Sequence, residues 1–163
     1  MVGAILKFDK WSKNIFRIIF KNIDISLWNF NIMFWESYGN NTLSSDFNGL
    51  DNIDSNLAKQ ELVYYNSEVY PEFLELFLSR GNTIINPIKT YDDFIDSNYF
   101  MSIVIIDHRN IEICCKDMEV LKKIIINFSE SDLENKRINI LKKIQSDAII
   151  SAYRSRNDKN IYD

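Results

Sequence analysis

The chain predicts an α+β fold, a mostly antiparallel sheet with helices packed on it, and three observations carry that expectation. From Thr90 to Phe128 a helical turn, an apolar strand, a tight turn, a second strand and a capped amphipathic helix follow one another without interruption. Nearer the start, Val2 to Phe8 and Trp28 to Trp35 alternate as strands do. The composition, 46% hydrophobic and 13% aromatic over 163 residues, supplies one sizeable core and excludes a disordered chain. A single domain over residues 1–156 is expected, with a frayed tail at 157–163.

Val2, Ala4, Leu6 and Phe8 share one side of the first strand. Asp9 then stands where a helix cap belongs. Lys10 to Asn22 reads as an amphipathic helix, with Trp11, Ile15, Ile18 and Ile19 on one stripe and Lys10, Lys13, Arg17 and Lys21 on another. The basic stripe reads as a solvated face rather than an anion contact. After Asp24 and Ser26, the residues Trp28, Phe30, Ile32 and Phe34 alternate with Asn29, Asn31, Met33 and Trp35 as a strand. Ser37 to Asn56 is a polar loop of Asn, Ser, Asp and Gly. Its DFNGLDNIDSN run gathers oxygen ligands, but the glycine and glutamate positions of an EF-hand loop are not met, so no metal is expected there.

Leu57 to Tyr70 fits a strand and a helix equally. Glu72 to Arg80 reads as a short helix: Pro71 suits a first turn, Phe73, Leu74, Phe77 and Leu78 form a stripe, and Gly81 ends it. A brief strand is expected at Thr83 to Pro87. Thr90, with Asp93 three residues on, starts a single helical turn over Tyr91 to Ile95. Met101 to Ile106 is apolar on both faces, as a central strand is. His108, Arg109 and Asn110 make the connection, Asn110 taking the left-handed conformation, and Ile111 to Cys115 returns antiparallel. Asp117 caps a helix whose buried stripe is Met118, Leu121, Ile125 and Phe128 and whose Lys122 and Lys123 face water. Beyond it, Ser131 with Glu134 resembles a capping box for one more helix, while Arg137 to Lys142 and Ala148 to Tyr153 equally suit two strands.

Few chemistries are readable. The one histidine, His108, sits in a predicted turn, and Cys114 and Cys115 are adjacent on a strand, where they point to opposite faces and read as reduced packing residues rather than a disulfide or nucleophile. Two cysteines and one histidine make no zinc spacing. The four glycines, Gly3, Gly39, Gly49 and Gly81, form no phosphate-binding motif. No catalytic residue, metal or cofactor is therefore expected.

Charge is unevenly spread. The net value is −4, but Asn40 to Phe100 carries ten acids against three bases, a local charge of −7 that leaves +3 on the rest. That acidic section disfavours nucleic acid and suits a basic protein partner, with Asp46, Asp51, Asp54, Asp92, Asp93 and Asp96 as candidate binding residues. No apolar run reaches the roughly 20 residues of a membrane helix, and the N-terminus lacks a secretory signal, so a cytoplasmic protein is expected. The leading functional expectation is a non-catalytic protein-binding module, such as a toxin-neutralising immunity protein. The alternative is a small enzyme or ligand-binding domain with its site near the 107–112 hairpin, drawing on His108, Glu112 and the Tyr91 to Asp96 turn.

The segment KTYDDFIDSNYFMSIVIIDHRNIEICCKDMEVLKKI, with NIDISLWNFNI nearer the start, resembles a family of small uncharacterised bacterial proteins classed only as a domain of unknown function. In that family a TYxxF turn leads to an apolar strand ending in Asp, a tight turn, a second strand closing in a cysteine-lysine-acid run, and a helix. The resemblance is concentrated in residues 90–125 and implies architecture, not activity. It also implies a terminal hairpin, which favours strands for Arg137 to Tyr153.

Overall fold

Six strands, β1 (Gly3–Lys7), β2 (Trp28–Tyr38), β3 (Tyr70–Arg80), β4 (Tyr99–Ile106), β5 (Asn110–Cys115) and β6 (Arg137–Leu141), form one antiparallel sheet in the order β2-β3-β4-β5-β1-β6. The computed structural model describes residues 2–10, 12–38, 55–64, 70–81 and 88–144, with the backbone alone at 36–38 and 70. Helices α1 (Ile15–Ile19), α2 (Ser55–Lys59), a π-helical turn continuing it (Gln60–Tyr64), α3 (Tyr91–Asp96) and α4 (Met118–Glu130) complete the described elements. The chain is a single α+β domain, as its sequence predicts.

The most consequential correction is β3. Phe73, Leu74, Phe77 and Leu78 match a helical stripe, yet with Leu76 they form an almost continuous apolar run, and the run lies between β2 and β4 as a central strand. Leu74, Leu76 and Leu78 enter one core, and Phe73 and Phe77 enter clusters on the other face. A strand buried on both faces loses the alternation that would announce it. Pro71 does not start a helix; it pairs with Ser37 beside a register shift, near the strand end where a missing ladder donor is tolerated. Gly81, at φ +97°, ends a strand.

Other differences are smaller. The expected Lys10 to Asn22 helix contracts to Ile15–Ile19, whose Ile15, Phe16 and Ile19 are buried. Asn14 offers no side-chain cap, and Asn22 closes the region at φ 58°. Arg17, from the basic stripe, donates to the carbonyls of Val63 and Tyr64 and so joins α1 to the end of the π-helical turn. In β2 a register shift between Ile32 and Phe34 breaks strict alternation, so that Trp28, Phe30, Ile32 and then Trp35 share the main core. β2 runs on to Tyr38 and α2 starts at Ser55, so the expected loop is trimmed at both ends; residues 39–54 lie outside the described residues. Leu57 to Tyr64 resolves as helix and Tyr70 as strand.

The Thr90 to Phe128 unit forms as expected, with one exchange in its turn and one in α4, whose buried residues are Val120, Leu121, Ile124 and Phe128, while the expected Met118 and Ile125 are only partly buried. Asp107 and His108, at φ 53° and 52°, take the left-handed conformation assigned above to Asn110, which instead pairs with Ile106 as the first residue of β5. Asp and His are among the non-glycine residues that tolerate this region. Asp117 caps α4 by accepting from Glu119 N and Val120 N, both at 3.2 Å. Ser131 closes α4, donating to the Phe128 carbonyl, and opens no further helix. Arg137–Leu141 is a strand, paired with β1; the expected Ala148 to Tyr153 strand, the Thr83 to Pro87 strand and the tail lie outside the described residues.

The sheet has two unlike faces. One packs α1, α2 and α4 into the main core, centred on Phe30, Leu76, Ile103, Ile113 and Phe128. The other carries α3, whose Phe94 joins Phe77, Tyr99 and Cys114, and a separate pair, Phe73 and Val104. Gly3 lets β1 approach β5 closely, since a Cβ there would stand 2.3 Å from the Ile113 carbonyl oxygen.

Candidate functional site

Among the described residues, two places at opposite ends of β4 present polar groups to solvent from a tied-down backbone. The first is α3. Thr90 Oγ1 accepts from Asp93 N at 3.2 Å while the Asp93 carboxylate accepts from Thr90 N at 2.9 Å and Lys89 N at 3.0 Å. This is a complete capping box, satisfying donors that a helix start leaves open. Those backbone bonds, to Thr90 first and Lys89 next, hold the Asp93 carboxyl below the usual carboxylate range. At the other end, Lys116 Nζ donates to the carbonyls of Ile95 at 2.8 Å and Ser97 at 2.7 Å and stands 4.9 Å from the Phe94 ring centroid. Burial lowers the Lys116 ammonium, and Asp96 opposes that shift. With Phe94 buried beneath, this short helix is fixed at three points.

Its outward side carries Asp92, Ile95 and Asp96, neighbours at the three- and four-residue spacing. Ile95 is 44% exposed between the two carboxylates. Among the described residues neither Asp92 nor Asp96 has a side-chain hydrogen bond or ion pair. Of the six acids singled out in the sequence, these two remain exposed for a partner. Asp93 is exposed as well, but its carboxylate is engaged in the cap. Asp46, Asp51 and Asp54 lie outside the described residues.

The second place is the β4–β5 turn. A cleft of about 490 Å³ is lined by Glu72, Asp107, His108, Arg109 and Asn110. The backbone here is tied down: Asp107 N donates to the Glu72 carbonyl at 2.9 Å, and Arg109 N to that of Ile106 at 3.3 Å. His108 Nδ1 lies 2.7 Å from the Pro71 carbonyl. A carbonyl oxygen only accepts, so Nδ1 carries the proton of this bond.

The structure does not bring together His108, Glu112 and the Tyr91 to Asp96 turn. α3 packs at the Tyr99 end of β4, His108 follows the Ile106 end, and seven strand steps separate those ends by about 24 Å. Glu112 lies partway along β5, opposite Val104. Sequence reading missed Glu72, because it was assigned to a helix; Arg109 lies in the 107–112 hairpin that was named but was given no role there. A strand assignment for residues 72–80 would have placed Glu72 beside the hairpin turn.

Cys114 and Cys115 are free and buried on opposite faces of β5. Burial pushes each thiol up to about 12. A nucleophile needs the thiolate, so neither suits that role. Among the described residues no three metal-binding side chains are grouped to hold an ion, and no helix is long and apolar enough to cross a membrane.

A family model described as "Protein of unknown function (DUF2691)" matches residues 1–148. The chain is also 28% identical, over 69 residues, to "Uncharacterized protein YncE" of Bacillus subtilis strain 168, a match covering 42% of this chain and 45% of that relative. It thus spans just under half the length of that relative. No solved structure matches.

Proposed function

The chain belongs to this family of proteins of unknown function, and from its geometry we propose a non-catalytic protein-binding module that engages a basic partner. The observation that carries the reading is the outward side of α3. A large aliphatic side chain, Ile95, is held in water between Asp92 and Asp96 on a helix fixed at both ends. An apolar contact rimmed by charge is how interfaces combine desolvation with selectivity, and a fixed support lowers the ordering cost of association. The sequence section that contains α3, Asn40 to Phe100, carries −7, which favours a positively charged partner. Neutralisation of a basic toxin, as an immunity protein performs it, is one form this function takes. The two free, buried thiols favour a reducing compartment, and we place the protein in the cytoplasm on that ground.

The test is affinity capture from the protein's own cell lysate at low and high salt, followed by light scattering of the eluate. The reading expects a basic protein retained at low salt and released as salt rises, because screening removes exposed charge pairing. A salt-insensitive monomer that retains nothing would overturn it.

A further inference from the structure

The cleft at the β4–β5 turn stands apart from the α3 surface, and its lining has an uncommon charge arrangement. Two acids, Glu72 and Asp107, and one base, Arg109, line the same opening. Among the described residues none of the three makes a side-chain hydrogen bond or ion pair, either with one another or elsewhere. Opposite charges that share a cleft without bridging each other leave both signs available to a third party. At about 490 Å³ the space lies within the roughly 300–1,000 Å³ of small-ligand sites.

The walls are also fixed before any ligand arrives. The Asp107 N to Glu72 carbonyl bond and the His108 Nδ1 to Pro71 carbonyl bond fasten the turn to the start of β3. Asp107 and His108 are held at positive φ by those bonds and by the pairing of Ile106 with Asn110. Backbone conformations of this kind persist where the surroundings over-determine them, and such places recur at ligand clamps.

We propose that this corner binds a small zwitterion of free amino acid or dipeptide size, its cationic group on Glu72 and Asp107 and its carboxylate on Arg109. The alternatives fit the lining less well. A lone anion meets two carboxylates beside the single guanidinium, and a simple cation leaves Arg109 without a counterpart. A metal ion finds no group of three ligands in place among the described residues. A guanidinium on the ligand is favoured over a plain ammonium, because a planar fork pairs two-pronged with carboxylates.

The experiment is an amide NMR titration of the full chain with three probes: L-arginine, agmatine as the same cation without its carboxylate, and acetate. The proposal expects L-arginine to shift the amides of residues 107–110 and 72 saturably at millimolar concentration or below. Agmatine and acetate should bind at least about tenfold more weakly, the loss of one charge-assisted contact. Arg109→Ala should reduce L-arginine to the level of agmatine, and Glu72→Gln should weaken L-arginine and agmatine alike. Equal binding of L-arginine and agmatine to the wild type, shifts scattered over other surfaces, or no shift at all would each overturn it. Asp92→Asn leaves this result unchanged, so the outcome is independent of the α3 reading.

Discussion

The two faces of the sheet use the same strands and close in different ways. Toward α1, α2 and α4 the strands contribute Phe30, Leu76, Ile103 and Ile113, and a single apolar cluster runs from β1 to α4. On the opposite face the apolar residues divide into two smaller clusters, and the buried polar side chains Glu75 and Ser102 alternate with the main-core residues of β3 and β4. Among the described residues, the Tyr99 hydroxyl is buried there with no hydrogen-bond partner. The first face holds the larger apolar core. The second tolerates polar groups, and both candidate sites lie at the two ends of its strands.

The largest expected effect separates the faces by core energetics. Phe128→Ala removes a fully buried ring of α4 that packs 6.0 Å from the ring of Phe8. It should cost about 3–5 kcal/mol, read as a lower urea midpoint at unchanged slope. A loss below about 1 kcal/mol would mean that the helix-covered face is not the principal core.

Proton linkage gives the next effect. The thiols of Cys114 and Cys115 are held up to about 12 in the fold, against an ordinary value of 9.0. A raised folded value stabilises the fold below the unfolded value, and that contribution is lost as pH rises from about 9 toward 12. Stability should therefore decline through that window, and the native thiols should resist alkylation until the chain unfolds. The carboxyls of Asp93 and Asp117 shift the other way, Asp117 chiefly through the Arg80 guanidinium at 2.6 Å. Their contribution is present above the ordinary value of 3.8 and is lost as acid titrates them below it. Denaturant titrations across both ranges would check the two signs.

Two smaller changes sharpen the contrast on the second face. Thr90→Ala deletes one half of the capping box and should cost about 1 kcal/mol, with α3 amides exchanging faster in hydrogen-exchange NMR. Tyr99→Phe should do the reverse, leaving stability unchanged or higher by up to about 1 kcal/mol, because it removes a hydroxyl that is buried without a partner. A clear loss on Tyr99→Phe would show that the hydroxyl has a partner in solution.

What the sequence disclosed follows from which signals are local. The Thr90 to Phe128 unit was readable because its caps, alternation and turn residues lie within a few positions of one another: Asp93 answers Thr90, and Asp117 answers Val120. β3 was not, because apolar residues on both sides of a central strand imitate a helical stripe, and only its neighbours β2 and β4 decide the matter. The register shift in β2 that carries Trp35 into the core is likewise set by pairing with β3. The α3 acids were visible, but only the fold shows that Asp93 serves the cap while Asp92 and Asp96 face water. The cleft was half visible: His108 stood out as the only histidine, whereas Glu72 joins it through a contact between positions far apart in the chain.

In the proposed function, folding and partner binding use different surfaces, with the outward side of α3 as the binding one. Its most direct test is the affinity of the captured basic partner for the wild type and for an Asp92→Asn, Ile95→Ala, Asp96→Asn variant, measured by calorimetry after their urea midpoints have been compared. Matched midpoints are expected, with binding at least about tenfold weaker for the variant and a shallower salt dependence. Equal affinity and equal salt dependence in a folded variant would contradict it.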